Sequence, residues 1–123
     1  MRILVVEDDL QLREFLEDML TSSGYNVALS HHGEDGLQML QNQAFDLLIT
    51  DLVMPERDGV SLIAMMKRLQ PKLRIIAMSG RSKTDLDIDS LQLVRVLGAD
   101  VTLQKPFSIE ELEMAIAKVG AMH

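Results

Sequence analysis

The chain has 123 residues, 47% of them hydrophobic, no cysteine and a formal net charge of −7. This length predicts a single domain over residues 1–123, the acidic balance disfavours direct nucleic-acid binding, and the lack of cysteine excludes disulfides and thiolate sites. No apolar run approaches the roughly 20 residues of a membrane span and no signal-peptide pattern is present, so we expect a cytoplasmic protein without membrane attachment.

The N-terminal part of the chain alternates one buried strand with one amphipathic helix. The apolar run Arg2–Val6 predicts the strand, and three acids follow it: Glu7, Asp8 and Asp9. Apolar residues then recur at helical spacing, at Leu12, Phe15, Leu16, Met19 and Leu20. We expect Asp9 to cap this helix and Gly24 to end it.

The next strand and helix lead to a central strand. Residues 25–30 alternate polar and apolar, which predicts a half-exposed edge strand, and residues 34–43 predict a short helix. The pair His31-His32 between them is interpreted as a loop. Leu47–Ile49 is apolar on both faces, as in a strand buried between helices, and ends at the lone carboxylate of Asp51.

The second half of the chain repeats this alternation. A third helical stripe before Pro71 consists of Leu62, Ile63, Met66 and Leu69. Another apolar run, Ile75–Met78, predicts a buried strand ending at Ser79. The polar segment 81–89 leads to a fourth helix, which is marked by Leu91, Val94 and Leu97. Residues 101–104 alternate strictly and predict the other edge strand, ending at Lys105.

The last helix begins with a capping box, in which Ser108 and Glu111 satisfy each other's backbone N–H groups, and with a hydrophobic staple between Phe107 and Leu112. Five strands thus alternate with five helices, which predicts a flavodoxin-like α/β fold: a doubly wound, five-stranded parallel sheet. Because strands two and five are predicted to be edge strands, the predicted strand order is 2-1-3-4-5. Its topological switch point, where such sheets bind ligands, lies between strands one and three.

Four of the strands end at chemically useful side chains. Glu7 and Asp8 follow the first strand, Asp51 the third, Ser79 the fourth and Lys105 the fifth. Two carboxylates about 6 Å apart repel each other by roughly 2–3 kcal/mol at an effective dielectric near 20, so such a cluster favours a divalent cation. Oxygen ligands with open positions suit Mg²⁺. A carboxylate beside Mg²⁺, a hydroxyl and an ammonium is a plausible nucleophile for phosphoryl transfer.

Each of these residues also has an ordinary structural interpretation. Acids are common at helix N-termini, Asp51 could form a side-chain turn, Ser79 precedes a turn glycine, and Lys105 could be a solvated surface lysine. Their joint placement at the ends of four strands favours a functional site.

Over nearly its whole length the sequence resembles the receiver domain of two-component response regulators, of the chemotaxis-regulator type. The resemblance rests on four motifs: VVEDD after the first strand, LLITDLVMPERDG at the third, IIAMSG at the fourth and LQKPFS at the fifth. It implies a phosphoprotein of a phosphorelay, phosphorylated by a sensor histidine kinase or a histidine phosphotransfer protein. Its output would be a downstream effector domain or partner protein.

The resemblance also implies a role for each matching residue. Asp51 would be the phosphoacceptor, in a self-catalysed reaction that makes the protein a signalling component and not an enzyme. Glu7 and Asp8 would form the acid pair around Mg²⁺, with Asp8, Asp51 and the backbone carbonyl of Val53 as direct ligands. Ser79 would contact the phosphoryl group and follow it on activation, and Lys105 would pair with that group.

The sequence departs from the family at two places. Many receivers carry Tyr or Phe three residues before the lysine, whereas this chain has Thr102, and the span between Ser79 and Lys105 is a few residues longer than expected. Both departures concern how the signal leaves the site.

The sequence supports two other functions less well. An Mg²⁺-dependent phosphatase-like enzyme with Asp51 as nucleophile would need a second acid two residues later, and that position is Val53. A receiver-like interaction module that never takes up phosphate is disfavoured by the complete set of acids, Ser79 and Lys105.

Overall fold

The computed structural model describes residues 1–52, 59–80 and 98–121. The strands are β1 Arg2–Val6, β2 Asn26–Ser30, β3 Leu47–Asp51, β4 Arg74–Ser79 and β5 Val101–Gln104. The helices within these ranges are α1 Leu10–Ser22, α2 Gly33–Asn42, α3 Gly59–Leu69 and α4 Ile109–Gly120. The additional helix predicted around Leu91, Val94 and Leu97 falls outside the described residues, as do the predicted segment 81–89 and the carbonyl of Val53.

The strands form one parallel sheet in the order β2-β1-β3-β4-β5, so the predicted doubly wound topology is confirmed. All five residues of β3 are buried, and only the first residue of β1 and of β4 is half-buried. The edge strands are more exposed, β2 along most of its length and β5 at its ends. Continuous and alternating apolar patterns therefore separated central strands from edge strands correctly.

The sheet divides the interior into two hydrophobic clusters, because successive side chains of a strand point to opposite faces. On one face, α1 and α4 contribute Leu16, Leu20, Leu112 and Ile116, which pack on Ile3, Val5, Leu47, Ile49, Ile76 and Met78. On the other face, α2 and α3 contribute Leu37, Leu40, Leu62, Ile63 and Met66, which pack on Leu4, Val6, Leu48 and Ile75. Among the described residues, no helix has the length and apolar character needed to cross a membrane.

The helix ends largely follow the sequence signals. Asp9 accepts hydrogen bonds from the backbone N–H groups of Gln11 and Leu12 and caps α1, while Gly24 follows the helix with φ +91°. The capping box of Ser108 and Glu111 is present in α4. Sequence reasoning missed the cap of α2: His32 lies in the predicted loop, but its Nδ1 accepts from the N–H of Asp35 at 3.1 Å.

One residue of the predicted core is misplaced. Leu69 was expected to face inward with the rest of its helical stripe, but it is 43% exposed, so that prediction is wrong. The inward position at the end of α3 belongs to Gln70. Its side-chain amide donates to the carbonyls of Leu40 and Gln43 at 2.8 Å each and accepts from the N–H of Phe45 at 3.1 Å. These three backbone groups lie in partly buried positions, and leucine could not supply their hydrogen bonds.

Helix α2 approaches the sheet most closely at Gly36. A Cβ atom added there would lie 2.8 Å from Cγ2 of Val6. Val6 is buried and β-branched, so it has little freedom to move aside. We therefore expect Gly36→Ala to destabilise the protein by about 1–3 kcal/mol in urea unfolding, the cost of overpacking, despite the better helix propensity of alanine.

Gly120→Ala is the matched control, because a Cβ at that helical glycine would meet nothing within 4 Å. This substitution should leave the free energy of unfolding unchanged or slightly higher. Equal effects of the two substitutions would contradict the close packing of α2 on β1.

Candidate functional site

The predicted site residues come together at the carboxyl ends of four strands, β1, β3, β4 and β5. Glu7 directly follows β1, Asp51 and Ser79 are the last residues of β3 and β4, and Lys105 directly follows β5. The parallel register aligns these ends: Asp51 pairs with Met78, and Ser79 pairs with Gln104. The four residues therefore lie along one rim of the sheet, and Glu7 and Asp51 flank the switch point between β1 and β3.

The ammonium group of Lys105 bridges two of the carboxylates. Its Nζ lies 2.7 Å from Oε1 of Glu7 and 2.9 Å from Oδ2 of Asp51. Glu7 is fully buried and Asp51 is 5% exposed, whereas 23% of the Lys105 side chain is accessible. Hydrogen bonds of this charge-assisted kind offset part of the cost of burying the two acids. The family resemblance implied that Lys105 pairs with a phosphoryl group on Asp51, whereas its bonds to the unmodified Asp51 and to Glu7 are found only in the structure.

Burial raises the pKa of Glu7 to about 7, and the charge of Asp51 adds to this rise. The hydrogen bonds from Lys105 and from the backbone N–H of Asp9 act in the opposite direction. Burial also lowers the pKa of Lys105, but its bonds to Glu7 and Asp51 outweigh that effect and the net pKa lies above the ordinary value. We regard Lys105 as charged, since both of its partners favour the ammonium form.

The turn that carries the acids is held by contacts from three directions. The N–H of Glu7 donates to the carbonyl of Ser30 in β2 at 3.0 Å, and the N–H of Asp9 donates to Oε2 of Glu7 at 3.0 Å. The guanidinium of Arg13, one helical turn beyond Asp9, donates to the carbonyl of Glu7 at 2.9 Å. Sequence analysis did not predict a role for Arg13. The sequence feature that could have indicated one is a basic residue four positions after the three consecutive acids Glu7, Asp8 and Asp9.

The structure brings together an acid trio, Glu7, Asp8 and Asp51, with the composition and spacing of a magnesium site. One carboxylate oxygen from each of Glu7, Asp8 and Asp51 lies within 4.8 Å of the other two, and Asp8 is the exposed member. Ligands on opposite sides of Mg²⁺ stand about 4.2 Å apart, because each bond is about 2.1 Å long. Small side-chain adjustments would therefore let Asp8 and Asp51 coordinate one ion. Both oxygens of Glu7 already accept hydrogen bonds, which suits it to an indirect role.

Ser79 is 5% exposed at the end of β4. Its carbonyl accepts the N–H of Lys105 at 2.7 Å, so the backbone ties the hydroxyl-bearing residue to the ammonium-bearing one. The Lys105–Pro106 peptide bond is cis. Thr102, which stands where many receivers have an aromatic residue, is half-buried and pairs with Ala77, two residues before Ser79.

The fold and the rim together define a class of protein. This is a doubly wound α/β domain whose switch-point crevice contains a buried carboxylate, an ammonium group and a set of oxygen ligands for a hard cation, an arrangement suited to phosphoryl chemistry.

Comparison with known proteins identifies the family. Residues 3–117 match the model of the response regulator receiver domain, and the chain belongs to this family. It is 34% identical over 112 residues to the transcriptional regulatory protein DltR of Streptococcus agalactiae, covering 91% of this chain and 48% of that protein. It is 37% identical over 112 residues to the response regulator MprA of Mycobacterium avium, covering 91% of this chain and 47% of that protein. The chain thus spans about half the length of these relatives.

Solved structures agree with this assignment. A CheY-like receiver domain protein from Methanospirillum hungatei matches with a TM-score of 0.88 and 26% identity, covering 97% of this chain and 93% of that one. A receiver domain protein from Clostridium thermocellum matches with a TM-score of 0.86 and 26% identity, covering 96% and 92% of the two chains. The chain is therefore a receiver domain of two-component signalling, and the phosphatase-like and phosphate-independent alternatives are not favoured.

Proposed function

We propose that Asp51 is the phosphoacceptor of this receiver domain, phosphorylated in an Mg²⁺-dependent reaction by a sensor histidine kinase or a histidine phosphotransfer protein. The observation that carries the proposal is the position of Asp51: it ends the central buried strand, beside Lys105 and within reach of Glu7 and Asp8. This geometry combines a held nucleophile with groups that offset negative charge.

In the proposed reaction, a carboxylate oxygen of Asp51 forms a bond to phosphorus while the bond from phosphorus to the donor's imidazole nitrogen breaks. The electron pair of the broken bond remains on that nitrogen, and the product on this chain is an acyl phosphate. Asp8, Asp51 and the Val53 carbonyl would hold Mg²⁺, with Glu7 in an indirect role; the ion supplies positive charge that offsets the phosphoryl oxygens.

Lys105 and Ser79 are assigned to the phosphorylated state. The ammonium of Lys105 already lies 2.9 Å from Asp51, so it can follow the negative charge onto the phosphoryl oxygens. The hydroxyl of Ser79, on the neighbouring strand, would donate to the same group. Water later hydrolyses the acyl phosphate, so the protein consumes one phosphoryl group per signalling cycle and acts as a switch, not as an enzyme with an external substrate.

A hollow beside the site offers a place for the phosphodonor protein. It has a volume of about 560 Å³ and lies between the start of α1 and the loop after β5. Its lining includes Leu12, Phe15, Pro106 and Phe107, together with the bridging Lys105. An apolar surface adjoining the phosphoacceptor suits a donor that must present its phosphohistidine to Asp51. Phosphorylation would then change binding of a downstream effector domain or partner protein.

The proposed function is tested by incubating the chain with acetyl phosphate in Mg²⁺ and, separately, in EDTA. Intact-mass measurement should show one added phosphoryl group in Mg²⁺ only, and hydroxylamine should remove it, because it cleaves acyl phosphates. Peptide mapping of the modified chain should place the group on Asp51. Incorporation that is equal in EDTA, or that resists hydroxylamine, would contradict the proposal.

A further inference from the structure

Arg13 is a charged residue whose position the proposed phosphoryl transfer does not explain. Its guanidinium Nη1 donates to the carbonyl oxygen of Glu7 at 2.9 Å, and the side chain is half-buried against the acid-bearing turn. That carbonyl belongs to the peptide unit joining Glu7 to Asp8. A hydrogen bond to it restricts rotation of the unit and therefore restricts the direction in which the Asp8 side chain leaves the backbone.

Asp8 is the member of the acid trio that most needs such support. Glu7 is buried and both its carboxylate oxygens accept hydrogen bonds, whereas Asp8 is exposed. Asp51 is fixed by its place in the central strand. The orientation of Asp8 thus depends on the turn between β1 and α1, and Arg13 is the side chain from α1 that fastens this turn.

The dipole of α1 does not by itself explain a cation at this place. Arg13 is the fourth residue of α1, near the positive end of the helix dipole, although the N-cap carboxylate of Asp9 lies one helical turn before it. Its charge also lies near a site that is proposed to bind a cation. The hydrogen bond to the carbonyl of Glu7 is the contact through which Arg13 acts on the turn.

We infer that Arg13 is a positioning residue for the magnesium site, holding the Glu7–Asp8 peptide unit so that Asp8 is presented to the ion. The inference rests on the proposed function, because it assumes that Mg²⁺ binds at the acid trio. It concerns ground-state metal affinity and assigns Arg13 no contact with the phosphoryl group.

The test measures Mg²⁺ affinity by isothermal titration calorimetry in the wild type, Arg13→Gln, Arg13→Lys and Arg68→Gln. Arg68 is an exposed arginine on α3, so its replacement changes the net charge equally without touching the acid turn. Urea unfolding in EDTA is measured in parallel. It shows whether a change in affinity is separate from a change in fold stability.

The positioning role predicts that Arg13→Gln weakens Mg²⁺ binding about tenfold, the usual effect of losing a residue that orients a ligand. Arg13→Lys, which keeps the charge and a donor but lacks the planar fork, should lie between this variant and the wild type. Arg68→Gln should bind as the wild type does. Simple electrostatics predicts the opposite sign, since removing a nearby positive charge would strengthen cation binding.

Either Arg13 variant binding Mg²⁺ as tightly as the wild type, or more tightly, overturns the inference. If Arg13→Gln does not fold, Arg13→Lys alone decides it by the same criterion. Asp8→Asn tests the proposed metal site separately from the role of Arg13. Mg²⁺ binding that is absent from the wild type, or unchanged in Asp8→Asn, would refute the proposed metal site itself.

Discussion

Asp51→Asn is expected to take up no phosphate from acetyl phosphate under conditions in which the wild type incorporates one group per chain. The amide lacks the carboxylate oxygen nucleophile, so it cannot form an acyl phosphate. The substitution is isosteric, and the amide oxygen can still accept the hydrogen bond that Lys105 donates to Asp51 at 2.9 Å. The variant should therefore remain folded, and loss of phosphorylation should reflect the chemistry of this residue. Intact-mass measurement with and without Mg²⁺ gives the answer.

Asp18→Asn supplies the control, because Asp18 is an exposed acid on α1 and its replacement changes the net charge by the same amount. It should be phosphorylated as the wild type is. Phosphate that persists in Asp51→Asn and is still released by hydroxylamine would show that another carboxylate is the acceptor. Loss of incorporation in both variants would indicate an effect of charge and would also contradict the assignment.

Lys105→Met is expected to destabilise the metal-free protein by about 3–5 kcal/mol, the usual result of removing one partner from buried ion pairs. Glu7 and Asp51 would then share the rim without a compensating charge, and their mutual repulsion would remain. The loss should be measured by urea unfolding in EDTA, at a pH well above the value of about 7 to which burial raises the pKa of Glu7. At such a pH the carboxylate is ionised in the folded wild type. In the variant the pKa of Glu7 rises further without the Lys105 bond, so the folded state must hold an unpaired charge or take up a proton, and both cost free energy.

Lys118→Met is the comparison. Lys118 is exposed in the last turn of α4, and its replacement should change the free energy of unfolding by no more than about 0.5 kcal/mol. Part of the Lys105→Met deficit should return when Mg²⁺ is added, because a cation bound to the native state stabilises it by mass action. Equal effects of the two substitutions would mean that the ion pairs of Lys105 contribute little to stability.

The sheet could be predicted from the sequence because the burial of each strand determines the pattern of apolar residues along a few consecutive positions. Continuous apolar runs such as Leu47–Ile49 marked central strands, and the alternation of residues 101–104 marked an edge, which together gave the order of all five strands. The cap at Asp9 followed from local chemistry in the same way. Leu69 was assigned wrongly because periodicity cannot reveal that the next residue, Gln70, is needed at the inner surface by the backbone of a distant segment, residues 40–45.

The candidate site was predictable in its membership but not in its internal arrangement. The rule that carboxyl ends of parallel strands share one rim brought Glu7, Asp51, Ser79 and Lys105 together. Side-chain packing between strands far apart in the sequence decides which acids are buried. The same packing decides that Lys105 contacts both Glu7 and Asp51. The bond of Arg13 to the carbonyl of Glu7 is likewise a tertiary contact without a motif.

The contact between Lys105 and Glu7 has a consequence for how the protein is synthesised. It joins residues 98 positions apart, so the ribosome makes the buried acid long before its cationic partner. While β5 is still unmade, β1 and β3 already carry Glu7 and Asp51 without that ammonium group. A sheet assembled too early during translation would therefore hold two uncompensated carboxylates along its rim. We expect the nascent chain to reach its stable form only after β5 emerges, as is usual where long-range contacts dominate.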